Sequence, residues 1–287
     1  MRLGFIGAGR MGRPIVDRLR AAGHEVTVLV RRPESRASAA AAGLTCAGTV
    51  AETVRDADAV FVTVLTDEQV RSVCLGPAGA VAAMRPGATL VQHTTSAPAT
   101  ARLLAQAGAE QGIGVLDAAL SGSPPDIAEG RLTLWVGGEE TVLEAVRPLL
   151  STYASPVLWV GAAAGDGQRV KLVNNALFVA QVGLAVDAVR LAGSLGIDER
   201  TLLAVLPHGS GASRALSVVA GGGSVDAVAG RLAALMRKDV AVVREVARSA
   251  GADLGIIGAV LASEAVESKV LGAARAPDDQ DSRRAAS

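Results

Sequence analysis

Residues 2–12 read RLGFIGAGRMG: a short apolar run, RLGFI, leads straight into Gly7-Ala8-Gly9-Arg10-Met11-Gly12, and a helical pattern follows through Ile15, Val16 and Leu19. Strand, glycine turn, helix is the setting in which G-x-G-x-x-G holds a dinucleotide. Gly7 permits the tight turn, Gly9 lets a pyrophosphate approach the backbone, and Gly12 lets helix and strand pack closely. The helix N-terminus then offers free N–H groups and a partial positive charge to the phosphates.

Outward from that turn, strands and helices alternate. A second strand, Glu25–Val30, ends at Arg31-Arg32-Pro33. An NAD site carries an acid about 20 residues past the glycines to hold the ribose hydroxyls. Two guanidinium groups at this point suit the 2′-phosphate of NADP instead, although the pair also reads as a solvated surface feature. NADP(H) is therefore the preferred cofactor, with NAD(H) still admitted. A helix near 33–42, a strand near Leu44–Cys46, a helix near 49–56 and a buried strand Ala59–Leu65 follow, with Thr66-Asp67 capping the next helix. Ligands in open parallel sheets lie outside the carboxyl ends of the strands, so Leu65 and Thr66 are expected beside the cofactor. Strands Thr89–Gln92 and Ile113–Leu116 lead into the loops His93–Ser96 and Asp117–Ser123, candidate walls of a substrate pocket. Arg131–Val136 reads as a strand, Glu139–Leu150 as a helix and Pro156–Val160 as the last strand.

From about 168 onward the pattern is nearly continuous helix, broken at Gly196, Pro207–Gly211 and Gly221–Gly223. The fold class is thus α/β, an N-terminal Rossmann doubly wound parallel sheet followed by an all-α C-terminal domain. The division predicted is residues 1–164 for NADP binding and 165–287 for substrate cleft and oligomerisation. Ala276–Ser287, rich in Asp, Arg and Ser, reads as a mobile tail.

Composition narrows the function. Half of the 287 residues are hydrophobic but only 2% are aromatic, so the core rests on Ala, Val and Leu. Lys and Arg number 28 against 28 Asp and Glu, without a basic block, which argues against nucleic acid or an anionic membrane as partner. Cys46 and Cys74 are too few for a disulfide framework and point to a reducing compartment. The first strand starts beside Met1 and leaves no room for a signal peptide. Uncharged runs such as Leu172–Val186 fall short of the roughly 20 residues that span a bilayer, so a soluble, cytoplasmic protein is expected.

Residues 161–175 read GAAAGDGQRVKLVNN. Lys171 and Asn175 stand at i and i+4, which puts them on the same helix face. Only Lys171, Lys238 and Lys269 are lysines in a chain that otherwise uses arginine. A lysine can lose its proton when partly buried, as an arginine cannot, so Lys171 is a candidate acid/base, against the plainer reading of a surface lysine. Asp166 reads as the cap of this helix.

Taken together, the chain resembles the β-hydroxyacid dehydrogenases, the family of 3-hydroxyisobutyrate dehydrogenase and tartronate semialdehyde reductase, over roughly residues 1–270. The resemblance rests on Gly7–Gly12 with Met11 after the second glycine, Arg31-Arg32 in place of an Asn-Arg pair, Thr94-Thr95 as the Ser-Thr loop, DAALSGS at Asp117–Ser123, the set Gly161, Gly165, Gly167, Lys171 and Asn175, and the late pair Lys238-Asp239. It implies Lys171 as catalytic acid/base, and Asn175 and Asn174 as substrate-orienting groups. It also implies Ser121, Gly122 and Ser123 as the carboxylate cradle, with Thr95 near the nicotinamide and Lys238 closing over the cofactor. A β-hydroxyl must lose a proton as hydride leaves carbon, so the chemistry needs such a group. Gln92 and His93 replace the family's acidic start of the Ser-Thr loop, and Ser123 replaces a glycine. His93 is a possible substrate contact on its loop and His208 a loop residue. The expected partner is a small carboxylate, in a homodimer or homotetramer, with no metal. An imine reductase, which typically lacks the lysine, and a non-catalytic NADP(H)-binding protein are the competing readings.

Overall fold

The computed structural model describes residues 1–272, so the tail expected at Ala276–Ser287 lies outside the described residues. Two compact units are present, Met1–Lys171 and the residues from Leu172 on. The division falls inside a single helix, Asp166–Ser194.

The first unit is one eight-stranded sheet made of β1 (Arg2–Ile6), β2 (Glu25–Leu29), β3 (Thr45–Ala47), β4 (Ala59–Val62), β5 (Thr89–Gln92), β6 (Gly114–Ser121), β7 (Leu132–Gly137) and β8 (Ala154–Gly161). Their order is β3-β2-β1-β4-β5-β6-β7-β8, and the first six are parallel. Helices cover both faces, so both sides of each central strand are apolar. Leu3 and Phe5 of β1 enter one core and Ile6 the other; Ala59 and Phe61 of β4 part from Val60 and Val62 in the same way. That two-residue period is why these strands read as unbroken apolar runs rather than as alternating ones.

Two strand ends differ from the sequence reading. β4 stops at Val62, short of Leu65, and from there Val64 is held by a side chain: its N–H donates to Thr94 Oγ1 at 2.9 Å. β6 instead runs past Leu116 to Ser121, because Asp117–Ser121 pairs antiparallel with β7, Asp117 opposite Gly137 and Ser121 opposite Thr133. The short link after Ser121 holds only the helical turn Pro124–Ala128, too little for a crossover, so β7 returns antiparallel and β8 follows it in parallel.

The second unit is helical throughout its described residues. Besides the end of Asp166–Ser194 it contains Glu199–Val205, Arg214–Gly221, Val225–Ala250 and Gly255–Leu261, a 3-10 turn at Leu206–His208 and a π-helical turn at Ala265–Val270. Asp198, Ser213 and Ser224 cap three of these helices by accepting from the backbone N–H three residues on. Leu172, Ala176, Val179 and Val182 form the buried stripe of the long helix and pack with Leu216, Val240 and Val266. By length and composition Asp166–Ser194 could cross a bilayer, longer than its uncharged runs suggest; 44% of its most apolar window is buried inside the protein. His208 is exposed in its 3-10 turn.

The pattern puts His93 on a pocket-facing loop; the structure puts it in the core at 1% exposure. Its Nδ1 lies 2.6 Å from the Ala118 carbonyl, so that nitrogen carries the proton and donates it. Its Nε2, 2.9 Å from Tyr153 Oη, then accepts from the phenol, and the ring stacks on Phe61 at 6.0 Å between centroids. The imidazole is held neutral: burial pushes its pKa down to about 4, against the bond to Ala118, which favours the cation. Folded-state depression means the unfolded chain binds the extra proton first, so this contribution to stability is complete above about pH 6.5 and is lost as the pH falls toward 4. Buried Asp117, whose pKa is raised to about 6, acts with the opposite sign in an overlapping window, so a bare pH profile mixes the two. Comparing His93→Gln with the parent isolates the histidine. The parent's stability advantage over the variant, from urea unfolding, should shrink by about 2 kcal/mol between roughly pH 7.5 and pH 5; parallel profiles would show that the ring is not held neutral.

Candidate functional site

The glycine turn shows a division of labour among its three glycines. At Gly7, with φ +99°, a Cβ would sit 2.2 Å from the Thr63 carbonyl oxygen, and at Gly12 one would sit 2.2 Å from the Gly7 carbonyl oxygen and 2.8 Å from the Phe5 ring. Both are needed for packing. Around Gly9 a Cβ would meet nothing within 4 Å, so that glycine is not explained by the protein's own atoms. The helix Gly12–Ala21 that follows has no side-chain cap and no acid in its first turn; Arg13 N–H is taken by the Gly9 carbonyl at 2.9 Å and Pro14 has none, so the helix N-terminus offers an anion its partial positive charge and the N–H of Gly12. These are the features of a pyrophosphate cradle, and the residues present fit a dinucleotide.

Beside the turn lies a cleft of about 840 Å³. Gly7, Ala8, Gly9, Arg10, Met11, Arg31, Arg32 and Leu65 all line it, so the structure brings together eight of the residues expected to bind cofactor. Arg31 and Arg32 are exposed at the end of β2, where Ser35 and Ser38 of the next helix also face the cleft. Thr66 and Gly12 are not in its lining. Thr66 is the N-cap of Asp67–Cys74, in a capping box with Gln69. Thr95 follows Thr94, whose hydroxyl both accepts from Val64 N–H and donates to Val64 O at 3.0 Å, stapling the ends of β4 and β5 together.

Where the parallel pairing of β5 with β6 ends, the polar side chains turn inward. Asp117 is fully buried, and its carboxylate accepts from the N–H of Gly165 and of Gln168, each at 2.7 Å. It is therefore the N-terminal cap of the Asp166–Ser194 helix, donated from a strand. Asp166, read as the cap, accepts instead from Ala163 N–H at 3.1 Å and pairs with Arg169. The reason is steric: a Cβ at Gly167 would meet the Trp135 carbonyl oxygen at 2.5 Å and Asp117 Oδ2 at 2.8 Å, so the bare backbone comes to the buried carboxylate. Burial raises the Asp117 pKa to about 6, opposed by its two backbone bonds.

Gln168, also fully buried, spans from the same helix to the β5 end. Its Oε1 accepts from Ser96 N–H at 2.9 Å, and its Nε2 donates to Gln92 Oε1 at 3.1 Å and to the Thr94 carbonyl at 3.2 Å. Lys171, half-buried, stands three residues further on. Of the expected carboxylate cradle, Ser121 ends β6, Gly122 has φ +139°, and Ser123 is already engaged: its N–H and hydroxyl donate to Asp126 Oδ2 at 2.7 and 2.6 Å.

Within the second unit, Asn175 and Lys238 meet Asp239, and Asn174 meets Asn175. Asn175 Nδ2 donates to Asp239 Oδ2 at 2.7 Å, Asn174 Nδ2 donates to Asn175 Oδ1 at 3.0 Å, and Lys238 Nζ lies 3.3 Å from Asp239 Oδ1. Asp239 is buried, and buried polar atoms need such partners. Its place beside Lys238 was visible in the sequence, but nothing in the spacing singled it out. Gln92 carried a signal of a kind, as an amide closing the apolar run Thr89–Gln92, whereas Gln168, between Gly167 and Arg169, carried none.

Comparison with known proteins agrees with this geometry. Residues 2–161 match the family model described as the NAD-binding domain of 6-phosphogluconate dehydrogenase, and residues 165–282 match the NAD-binding domain of NADP-dependent 3-hydroxyisobutyrate dehydrogenase. The chain is 31% identical to NAD-dependent L-serine dehydrogenase of Pseudomonas aeruginosa, covering 86% of each. It is 32% identical to 2-hydroxy-3-oxopropionate reductase of Escherichia coli, covering 76% of this chain and 74% of that one. A solved structure of 3-hydroxyisobutyrate dehydrogenase from Mycobacterium tuberculosis with L-serine superposes with a TM-score of 0.79 at 28% identity, covering 90% of each chain. With one family model spanning more than half of its length and a relative alike over most of it, the chain belongs to the β-hydroxyacid dehydrogenases, NAD(P)-dependent oxidoreductases of small hydroxyacids.

Proposed function

We propose that the protein transfers a hydride between NADP(H) and a small β-hydroxyacid or its semialdehyde, with Lys171 as general acid/base. The observation that carries this reading is the anchoring of the Lys171 helix: its first turn is tied by Asp117 and Gln168 to β6 and β5 where their parallel pairing ends. In a parallel sheet those ends share an edge with the glycine turn. The bound cofactor supplies or accepts the hydride at its nicotinamide ring. Lys171 Nζ gives a proton to the carbonyl oxygen in reduction, or takes it from the hydroxyl in oxidation, and its charge stabilises the developing alkoxide.

Arg31 and Arg32 hold the 2′-phosphate, for which exposed guanidinium groups on the cleft wall are the right donors. Ser121, Gly122 and Ser123 receive the substrate carboxylate with backbone N–H groups, the Ser123 hydroxyl serving to fix the turn through Asp126. The family resemblance supports Asn174 and Asn175 as substrate-orienting groups and Thr95 and Lys238 as cofactor contacts; the Asp239 bond fixes which way the Asn175 amide faces. Homodimer or homotetramer formation belongs to the same proposal, supported by exposed Leu177, Leu184 and Leu191, seven residues apart on one helix.

Purified protein assayed with NADP+ and NAD+ against L-serine and 3-hydroxyisobutyrate, and with NADPH and NADH against 2-hydroxy-3-oxopropionate and a cyclic imine, should turn over a hydroxyacid or the semialdehyde and leave the imine; turnover of the imine alone sinks the reading. Lys171→Ala should lower kcat about 10²–10⁴-fold with an unchanged melting temperature, and full turnover in that variant removes the lysine from its role. Arg32→Ala should weaken NADPH roughly 10- to 100-fold while sparing NADH; an equal loss of both cofactors speaks against the 2′-phosphate assignment. Gly9→Ala meets no protein atom, so it should keep its melting temperature yet bind either cofactor at least about tenfold more weakly, as titrated by nicotinamide fluorescence.

A further inference from the structure

We propose that Gln168 and Gln92 are positioning residues for Lys171: the two buried amides lock the first turn of the lysine's helix to the Thr94–Ser96 loop. The proposal rests on the acid/base reading of Lys171. Neither amide touches a reacting atom.

The orientation of both amides is fixed by their partners. Ser96 N–H can only donate, so the atom of Gln168 that faces it at 2.9 Å is the oxygen. The Gln168 nitrogen must then face Gln92 Oε1 and the Thr94 carbonyl, which are both acceptors. That in turn sends the Gln92 nitrogen to the Thr94 carbonyl at 2.7 Å and to Ser96 Oγ at 3.2 Å. The Thr94 oxygen thus receives two donors, all four N–H bonds of the two amides are used, and each amide oxygen accepts one. All four participating residues, Gln92, Thr94, Ser96 and Gln168, are buried.

A closed set of this kind is sensitive to displacement. If Gln168 moves, Ser96 N–H and Gln92 Oε1 lose their partners inside the protein, and a buried polar group without a partner is costly. Helix geometry carries the constraint onward: Lys171 is less than one turn from Gln168, a rise of roughly 4.5 Å. The other end of the knot is the loop that holds Thr94 and Thr95. The amides therefore set the distance between the lysine's backbone and that loop, and a misplacement of about 1 Å can lower a rate roughly 100-fold.

The test combines Lys171→Ala, Gln168→Leu, their double variant and Gln168→Glu in the full chain. With only three lysines, the titration of Lys171 Nζ can be read without substrate from the pH dependence of its trace labelling by acetic anhydride. Gln168→Leu should move that titration by more than about 0.5 pH unit, since neighbours and solvation set an amine's pKa. It should lower kcat about 10- to 100-fold with cofactor affinity unchanged, yet lower the residual rate of Lys171→Ala by less than about twofold, because residues acting as a unit are not additive. In Gln168→Glu the introduced carboxyl can donate only while protonated, so kcat should fall along a one-proton curve as pH rises; this variant also serves if Gln168→Leu does not fold. An unmoved Lys171 titration, or losses that add in the double variant, overturns the positioning role and leaves the acid/base reading in place. Full turnover in Lys171→Ala rejects that reading itself, and the proposal with it.

Discussion

The carboxylate of Asp117 meeting the backbone N–H groups of Gly165 and Gln168 is the contact on which the rest of the first unit's chemistry depends. Two forces act on it. Burial without water favours the neutral carboxyl, while two N–H donors at a helix N-terminus favour the anion; burial is the larger, and the pKa rises to about 6. The helix gains by having two of its orphan donors satisfied in the interior, where an unpaired N–H would be expensive. Because the cap comes from β6 rather than from the residues just before the helix, the helix start is fixed to the sheet.

The glycines around this contact follow from it. A side chain at Gly137 would come within 2.5 Å of Asp117 Oδ1, and one at Gly167 within 2.8 Å of Oδ2. The carboxylate is thus enclosed by bare backbone on two sides. The same device appears at the other end of the edge, where Gly7 and Gly12 press against carbonyl oxygens so that Gly9 remains open. In the first place glycine admits a buried cap; in the second it leaves room for a ligand. The close-packed pair makes the open one possible.

How much of this was legible in the sequence depended on whether the signal was local. The β1 run, Gly7–Gly12 and the Ile15, Val16, Leu19 stripe sit within a span short enough for period and turn chemistry to speak, and the strand–turn–helix they predict is present. The helical breaks at Gly196, Pro207–Gly211 and Gly221–Gly223 were legible for the same reason. What could not be read were pairings made across the chain. β6 looks finished at Leu116 until β7 is known to lie antiparallel beside Asp117–Ser121. His93 looks like a loop residue until Tyr153, sixty positions on, takes its second nitrogen. Asp239 looks like the neighbour of Lys238 until Asn175 is found bonded to it. In each case a polar residue's meaning lies in a partner whose distance no periodicity encodes.

The departure at Gln92 then acquires a physical sense. The sheet register puts Gln92 directly opposite Asp117, and the Gln92 side chain has to supply donors, to the Thr94 carbonyl and to Ser96 Oγ, as well as one acceptor, to Gln168. A carboxylate there could accept from Gln168 but donate nothing, and it would stand in register with a buried carboxyl whose pKa is already raised. Two such groups disfavour each other's ionised forms. A neutral amide in place of the family's acid therefore keeps one negative charge at this spot, on the residue that needs it to hold the helix, and turns the neighbouring position into a donor. Asp117 carries the charge and Gln92 carries the hydrogens, and together with Gln168 they close a buried polar set that a second acid would leave open.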